Sequence, residues 1–362
     1  MLSLPSYDIN LKVPFILCNC KLAEGPTYDY RTNTLFWLDI ERKRVYWADF
    51  VQPSESDLEP IDQFYFVVVP ESVTVLGLTD TPGIFVVGAK RGYAKLDLTK
   101  EIKLSKTPEY VKRHIGDVNI KYIEVVHENE DSYLRFNDGA VDGAGRFYAG
   151  SMVDTGNKLA PVGKLYSLTL NGKDPYVSKI IEDVTIPNGF GFSPDNKIVY
   201  FTDSPTSTIF QFDYDIETGT LSNRRPFVTI KLPNLDAPEP DGLTVAEDGS
   251  VWTAIWQSSR LHRYSAAGEL LQEYVFPSAT RITCPTFAGV NLDYLVVSTA
   301  SLHLAQDGSI EEEDEEEEQE EEEKERKSIA FETDDSLDLG GNLFIVKVCD
   351  TRGLKKNVMI LS

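Results

Sequence analysis

Six segments of the chain share one plan, and an internal repeat of this size restricts the possible folds more than any other feature of the sequence. Each pairs an apolar strand with a short polar turn and a second, amphipathic strand. They read TLFWLDIERKRVYWADF from Thr34, GIFVVGAKRGYAKLDL from Gly83, and RFYAGSM followed by GKLYSLTL from Arg146. IVYFTDSPTSTIFQFDYD follows from Ile198, VWTAIWQSSRLHRYSAAG from Val251, and YLVVSTASLHL with GNLFIVKV from Tyr294. Leu35, Ile84, Phe147, Val199, Val251 and Tyr294 mark the starts, at spacings of 49, 63, 52, 52 and 43 residues. The strands are rich in Val, Ile, Phe, Tyr, Trp and Thr. Turn signals such as Asp142-Gly143-Ala144-Gly145, Pro194-Asp195-Asn196 and Asp248-Gly249 precede several of them. Long helical periodicity is absent. Units of this size hold four short antiparallel strands each, packed radially about an axis. The predicted fold is an all-β, six-bladed β-propeller occupying residues 1–362 as a single domain.

Departures from the repeat are read as insertions. The wide second spacing contains residues 100–110, expected as a surface loop. The sixth unit is interrupted by residues 311–323, acidic except for Gln319. A run of like charge repels itself and does not fold alone, and a long loop adds little closure entropy. A disordered acidic insertion is therefore expected at 306–335, between the third and fourth strands of the last blade. Segments 15–22 and 357–361 are expected to pair with the terminal units and close the ring.

The net charge is −23, and the chain stays acidic outside the run, which argues against a nucleic-acid partner. No apolar run reaches the roughly 18 residues of a spanning helix. The N-terminus lacks the basic start and apolar core of a secretory signal. Cys18, Cys20, Cys284 and Cys349 match neither a zinc pattern nor a disulfide framework. They are read as reduced thiols of an intracellular protein, cytoplasmic with the nucleus left open.

A second regularity lies ten or eleven residues before the strand starts. Glu24-Gly25-Pro26, Asn137-Asp138-Gly139, Pro187-Asn188-Gly189 and Pro240-Asp241-Gly242 occupy that offset in units one, three, four and five. A quasi-rotational repeat puts equal offsets at equal height, so four oxygen-bearing side chains should face one another at one end of the channel. Val73-Thr74 and Thr283-Cys284 hold the offset in units two and six and are less polar. Two carboxylates and an amide carbonyl suit calcium, magnesium or manganese and can hold zinc. The competing reading, that Asn-Gly and Asp-Gly simply make turns, explains one dipeptide better than four at matching offsets.

EGPTYD with TLFWLDIE, RFNDGAVDGAGRFYAGSM, IPNGFGFSPDNKIVYFTDSP, FDYDIETGTLSNRRPF and PDGLTVAEDGSVWTAIWQSSRLHRY resemble the successive signatures of the gluconolactonase, regucalcin (senescence marker protein) and luciferin-regenerating family. The likeness runs from about residue 22 to 299, with 340–344 as its last piece. It implies a six-bladed propeller and one divalent metal held by Glu24, Asn188 and Asp241. It also implies a substrate-binding Arg-x-Asn pair, present as Arg135 and Asn137. An acidic residue just beyond Gly150-Ser151-Met152 would touch sugar hydroxyls; Asp154 takes that place, or Thr155 if the alignment moves by one.

The function expected is a metal-dependent hydrolase opening a sugar (aldono-)lactone, with a small-molecule lactone as partner. Asp241 is the candidate general base, and Arg135 and Asn137 orient hydroxyls or the ring oxygen. Asp138 is read as a turn residue and Asp203 as a turn or blade-packing residue. His114, His127, His262 and His303 share no metal spacing, and no G-x-S-x-G supports serine chemistry. Trp37, Trp47, Trp252 and Trp256 are expected to pack between blades. The alternatives are a calcium-binding regulatory protein of the regucalcin type and an interaction propeller with a purely structural metal. The Arg135–Asn137 pair argues against both, since such a metal needs no substrate clamp.

Overall fold

A computed structural model describes residues 11–53, 60–107, 113–172, 174–304 and 338–361. In these residues six sheets surround one axis. Their innermost strands are Ala23–Asp29, Val73–Thr79, Leu134–Val141, Pro187–Phe192, Glu239–Val245 and Arg281–Ala288. Each touches the next and the sixth touches the first, so the ring is closed. The second strands begin at Thr34, Ile84, Phe147, Ile198, Val251 and Tyr294, within one residue of every predicted start. The chain is the six-bladed propeller that its repeat requires.

Burial follows position in the blade. The second strand of blade one, Thr34–Asp39, is buried at every residue, because neighbouring blades cover both faces of its sheet. Such strands read as continuous apolar runs. The outermost strand of blade three, Asp174–Val184, instead mixes exposed and half-buried residues up to its buried last residue, Val184. Trp37, Trp47 and Trp252 are fully buried, and Trp37 stacks on Tyr46 at 5.3 Å. Trp256 ends its strand half-buried, with the Arg281 guanidinium 5.4 Å from its ring.

The chain start closes the ring as expected. Phe15 and Ile16 N–H donate to Leu343 O at 2.7 and 3.1 Å, and Leu343 N–H donates to Ile16 O at 3.2 Å. This gives blade six the outer pairing that its own three strands lack. Three expectations are corrected. The acidic insertion separates the second and third strands of blade six, because the fourth position is filled from the chain start; residues 306–335 lie outside those described. Segment 357–361 does not join a terminal unit: Val358–Met359 runs parallel to the inner edge of blade two. Residues 100–110 are not simply a loop, since Thr99–Ser105 is helical. Ile102 packs on the core shared by blades one and two, and the Ser105 hydroxyl accepts from Trp47 Nε1 at 3.2 Å. All four cysteines are free thiols. No helix among the described residues is long and apolar enough to cross a membrane.

Candidate functional site

The pairing register slips at the same height in all six innermost strands. The slips fall between Glu24 and Thr27, Val73 and Val75, Phe136 and Gly139, Asn188 and Phe190, Pro240 and Leu243, and Ile282 and Pro285. A bulge adds an unpaired residue and re-aims its side chain. The Asn-Gly and Asp-Gly dipeptides therefore lie within strands rather than in connecting turns. Two of their glycines are needed for close approach: a Cβ on Gly139 would sit 2.0 Å from Tyr148 O, and one on Gly242 2.5 Å from Cys284 Sγ.

Aspartates at the ends of second strands fix how the bulged strands enter the ring. Asp39 accepts from Lys21 and Leu22 N–H at 2.8 and 3.3 Å, just before Glu24. Asp203 accepts from Thr185 and Ile186 N–H at 3.1 and 3.0 Å, just before Asn188. This gives Asp203 the packing role expected of it.

A continuous polar arc spans five blades at the channel mouth. Thr155 Oγ1 donates to Glu41 Oε1 of blade one at 3.2 Å. The neighbouring Asp154 pairs with Lys90 of blade two at 2.8 Å and with Arg135 Nε at 3.2 Å. Arg135 Nη1 donates to Asn137 Oδ1 at 2.8 Å. Asn137 Nδ2 donates to Asn188 Oδ1 at 3.0 Å and to Pro187 O at 2.9 Å. Asn188 Nδ2 donates to the Ser204 hydroxyl at 2.9 Å, which donates to Pro240 O at 2.7 Å, next to Asp241. Each amide is thereby held in one orientation. Asn188 Oδ1 accepts one bond and keeps a second lone pair.

Beside the arc lies unbalanced negative charge. Glu24 and Asp138 keep some exposed surface yet are deeply desolvated. Burial, reinforced by repulsion from Asp138, pushes the Glu24 carboxyl up to about 8, although Gly25 N–H and Arg135 oppose it. Burial pushes Asp138 up to about 6, against the Gly139 N–H bond and Lys356. Asp241 is driven well above the carboxylate range by burial, then by the charges of Glu24, Asp138 and Glu239. These mutual repulsions place Glu24, Asp138 and Asp241 in one electrostatic cluster. The arrangement fits a hard divalent cation: desolvated carboxylates short of positive charge, with an oriented amide oxygen beside them. Among the described residues no three His, Cys, Asp or Glu side chains form a metal cluster by themselves.

The predicted residues Arg135, Asn137, Asn188 and Asp154 are linked directly in the arc, and Glu24 and Asp241 belong to the acid cluster. Asp138 makes the expected local bond to Gly139 N–H at 2.6 Å and also faces the channel. Glu41, Lys90, Ser204 and Glu239 were not read from the sequence. Glu41, Lys90 and Ser204 share one signal: each closely follows a second strand, and those connections all lie at the mouth. His127 and His262 are buried among aromatic rings, with pKa lowered by that burial. A cavity of about 240 Å³ lies beneath the ring rather than in the mouth, between Asp138, Cys284 and residues 354–357.

Residues 22–301 match the family model described as the SMP-30/Gluconolactonase/LRE-like region. The cell growth-regulated gene 1 protein of Candida albicans is 30% identical over 351 residues, covering 93% of this chain and 94% of that protein. The pentonolactonase XacC of Haloferax volcanii is 30% identical over 284 residues, covering 78% of this chain and 82% of that enzyme. Among solved structures, a luciferin-regenerating enzyme superposes with a TM-score of 0.72 at 26% identity, covering 95% of this chain and 96% of that one.

Proposed function

The chain belongs to the SMP-30/gluconolactonase/LRE-like family, and from that premise we propose that it is a divalent-metal-dependent hydrolase that opens a sugar lactone. Glu24, Asn188 and Asp241 are its proposed metal ligands, with calcium, zinc, magnesium or manganese as the cation. The observation that supports this most is the meeting of two desolvated, mutually repelling carboxylates with the ordered arc that fixes the Asn188 amide. A pentonolactonase among the relatives favours the lactone class.

A bound cation would supply Lewis-acid polarisation of the lactone carbonyl and stabilise charge on its oxygen. The protein's own groups do the rest. Water adds to the carbonyl carbon as its proton passes to the Asp241 carboxylate, and the acyl C–O bond opens as Asp241 returns that proton to the leaving ring oxygen. Arg135 and Asn137 orient the substrate's hydroxyls or ring oxygen. Asp154, anchored between Lys90 and Arg135, takes the sugar-contacting position rather than Thr155, whose hydroxyl is spent on Glu41. Holding these groups in place before substrate arrives lowers the entropic cost of the reaction. A calcium-binding regulatory role would use the same ring but leave the Arg135–Asn137–Asp154 clamp without a task.

The test is hydrolysis of an aldonolactone panel by chelator-treated protein, with each cation added back singly. Turnover restored by one or more cations in the wild type and absent in Asp241→Ala is expected. Hydrolysis that ignores the cation, or no hydrolysis of any lactone, would overturn the proposal. Cation binding unchanged by Glu24→Ala or Asn188→Ala would overturn the ligand assignment.

A further inference from the structure

Beyond blade six the chain crosses beneath the channel as a strap, on the side away from the mouth. Gly353 bridges Ala246 of blade five and donates to Leu292 O of blade six at 2.8 Å. Only glycine fits there, since a Cβ would lie 2.1 Å from the Phe287 Cβ. Asn357 Nδ2 donates to Val141 O of blade three at 3.0 Å. Val358 and Met359 then pair with Leu78 and Thr79 of blade two, and Asp80 N–H donates to Met359 O at 3.0 Å. Anchored to four blades, residues 354–357 cannot drift from the axis.

Between these anchors, Lys356 lines the same cavity of about 240 Å³ as Asp138 and Cys284. Leu354 and Lys355 are exposed, whereas Lys356 is half-buried. Val75, Val141, Leu243 and Phe287 line the same space together with polar residues such as Thr244 and Asn357, so the two charges act on each other across a partly solvated gap. The positive charge of Lys356 draws both the Asp138 carboxyl and the Cys284 thiol downward, against the burial that raises them. The ammonium therefore acts on the wall of the acid cluster from below.

We infer that Lys356 is a built-in counter-charge: carried on the strap beneath Asp138, it holds the affinity of the Glu24–Asn188–Asp241 set for a divalent cation below what the buried carboxylates alone would give. This rests on the proposal that the ring binds a metal. The carboxylates concentrate negative charge that attracts a cation, and a fixed ammonium on the closed side repels it. The cost of bringing the carboxylates together in the empty ring is relieved by the same charge. Lys356 is a positioning residue in this scheme; it touches neither metal nor substrate.

The test is calorimetric titration of full-length, chelator-treated protein with calcium, and separately with zinc, at fixed pH and salt. Lys356→Met should bind about tenfold tighter than wild type, while Lys356→Arg, which keeps the charge, should stay within about twofold. Near-ultraviolet circular dichroism checks that both variants fold, and Lys356→Gln carries the same expectation if the methionine variant does not. Neutral variants that bind within about twofold of wild type, or more weakly, would overturn the inference, as would an arginine variant that shifts as far as the neutral ones. Wild type that binds neither cation would overturn the metal-site proposal and this inference with it, so the two failures are distinguishable.

Discussion

Blades two and six make the same backbone bulge as blades one, three, four and five, at the same height, yet contribute differently to the channel. In blade two the Thr74 hydroxyl donates to Gly88 O at 3.3 Å within its own sheet. In blade six the Thr283 hydroxyl donates to Ala23 O at 2.7 Å, and the neighbouring Cys284 places a neutral thiol, held protonated by burial, on the cavity wall. In the other four blades the bulge carries Glu24, Asn137 with Asp138, Asn188 or Asp241. The bulge is thus a property of the blade, and the donor is a property of the residue that occupies it. Blades two and six flank blade one in the ring, so the polar bulges of blades three, four and five face Glu24 across the channel.

The comparison breaks most visibly if a donor blade is made like an idle one. Glu24→Ala or Asp241→Ala should weaken divalent-cation binding by more than about 100-fold, since even supporting residues of metal sites are worth 10- to 100-fold. Calorimetric titration measures this. The chelated variants should melt no lower than the chelated wild type, because each removes a desolvated carboxylate from a repelling cluster. Wild type should gain about 2.7 kcal/mol from cation at 100 times its Kd, a gain that scanning calorimetry should find missing in the variants.

A smaller effect is expected from loosening a donor without removing it. Ser204→Ala leaves Asn188 Nδ2 without its partner and frees the amide to rotate. Cation affinity should fall by about 10-fold, with a stability loss of about 1–3 kcal/mol from the orphaned buried donor. Asp154→Asn should act on the arc alone: KM for the preferred lactone should rise by about tenfold, or 1.4 kcal/mol, with cation affinity unchanged. Equal losses in both measurements would merge the two halves of the site that the structure separates. The least change belongs to blade six. Cys284→Ser, nearly isosteric, should leave cation affinity within about twofold, and a larger shift would show that blade six is not idle.

Much of this was legible in the chain. Residues at Glu24, Asn137, Asn188 and Asp241 recur at one offset from strands whose own pattern is strong, so repetition alone predicts that they meet. Glu41, Lys90 and Ser204 were not legible in that way, because they sit in connections whose lengths and residue types differ between blades. Only the register of the second strands shows that all these connections emerge at the mouth. Asp138 is hard to read for a related reason. An aspartate before glycine has an adequate local role, its bond to Gly139 N–H, and its place on the cavity wall depends on a bulge that hydropathy cannot reveal.

The two ends of the chain show where local information stops. Both are expected at the terminal blades; residues 15–16 do take the outer edge of blade six, whereas 358–359 cross to the inner edge of blade two. Short strands carry too few residues to select an edge by pattern; the choice depends on which edges remain unpaired once the ring has closed. The repeat, the number of blades and the shared height of the oxygen-bearing residues can be read from the chain alone, because they follow from short-range periodicity multiplied by rotation. The bulges under those residues, the arc of hydrogen bonds and ion pairs from Glu41 to Ser204, and the lysine on the strap beneath Asp138 come from the assembled fold. Those features depend on contacts between residues as far apart as Val141 and Asn357, and no local pattern specifies which distant partner fills a buried position.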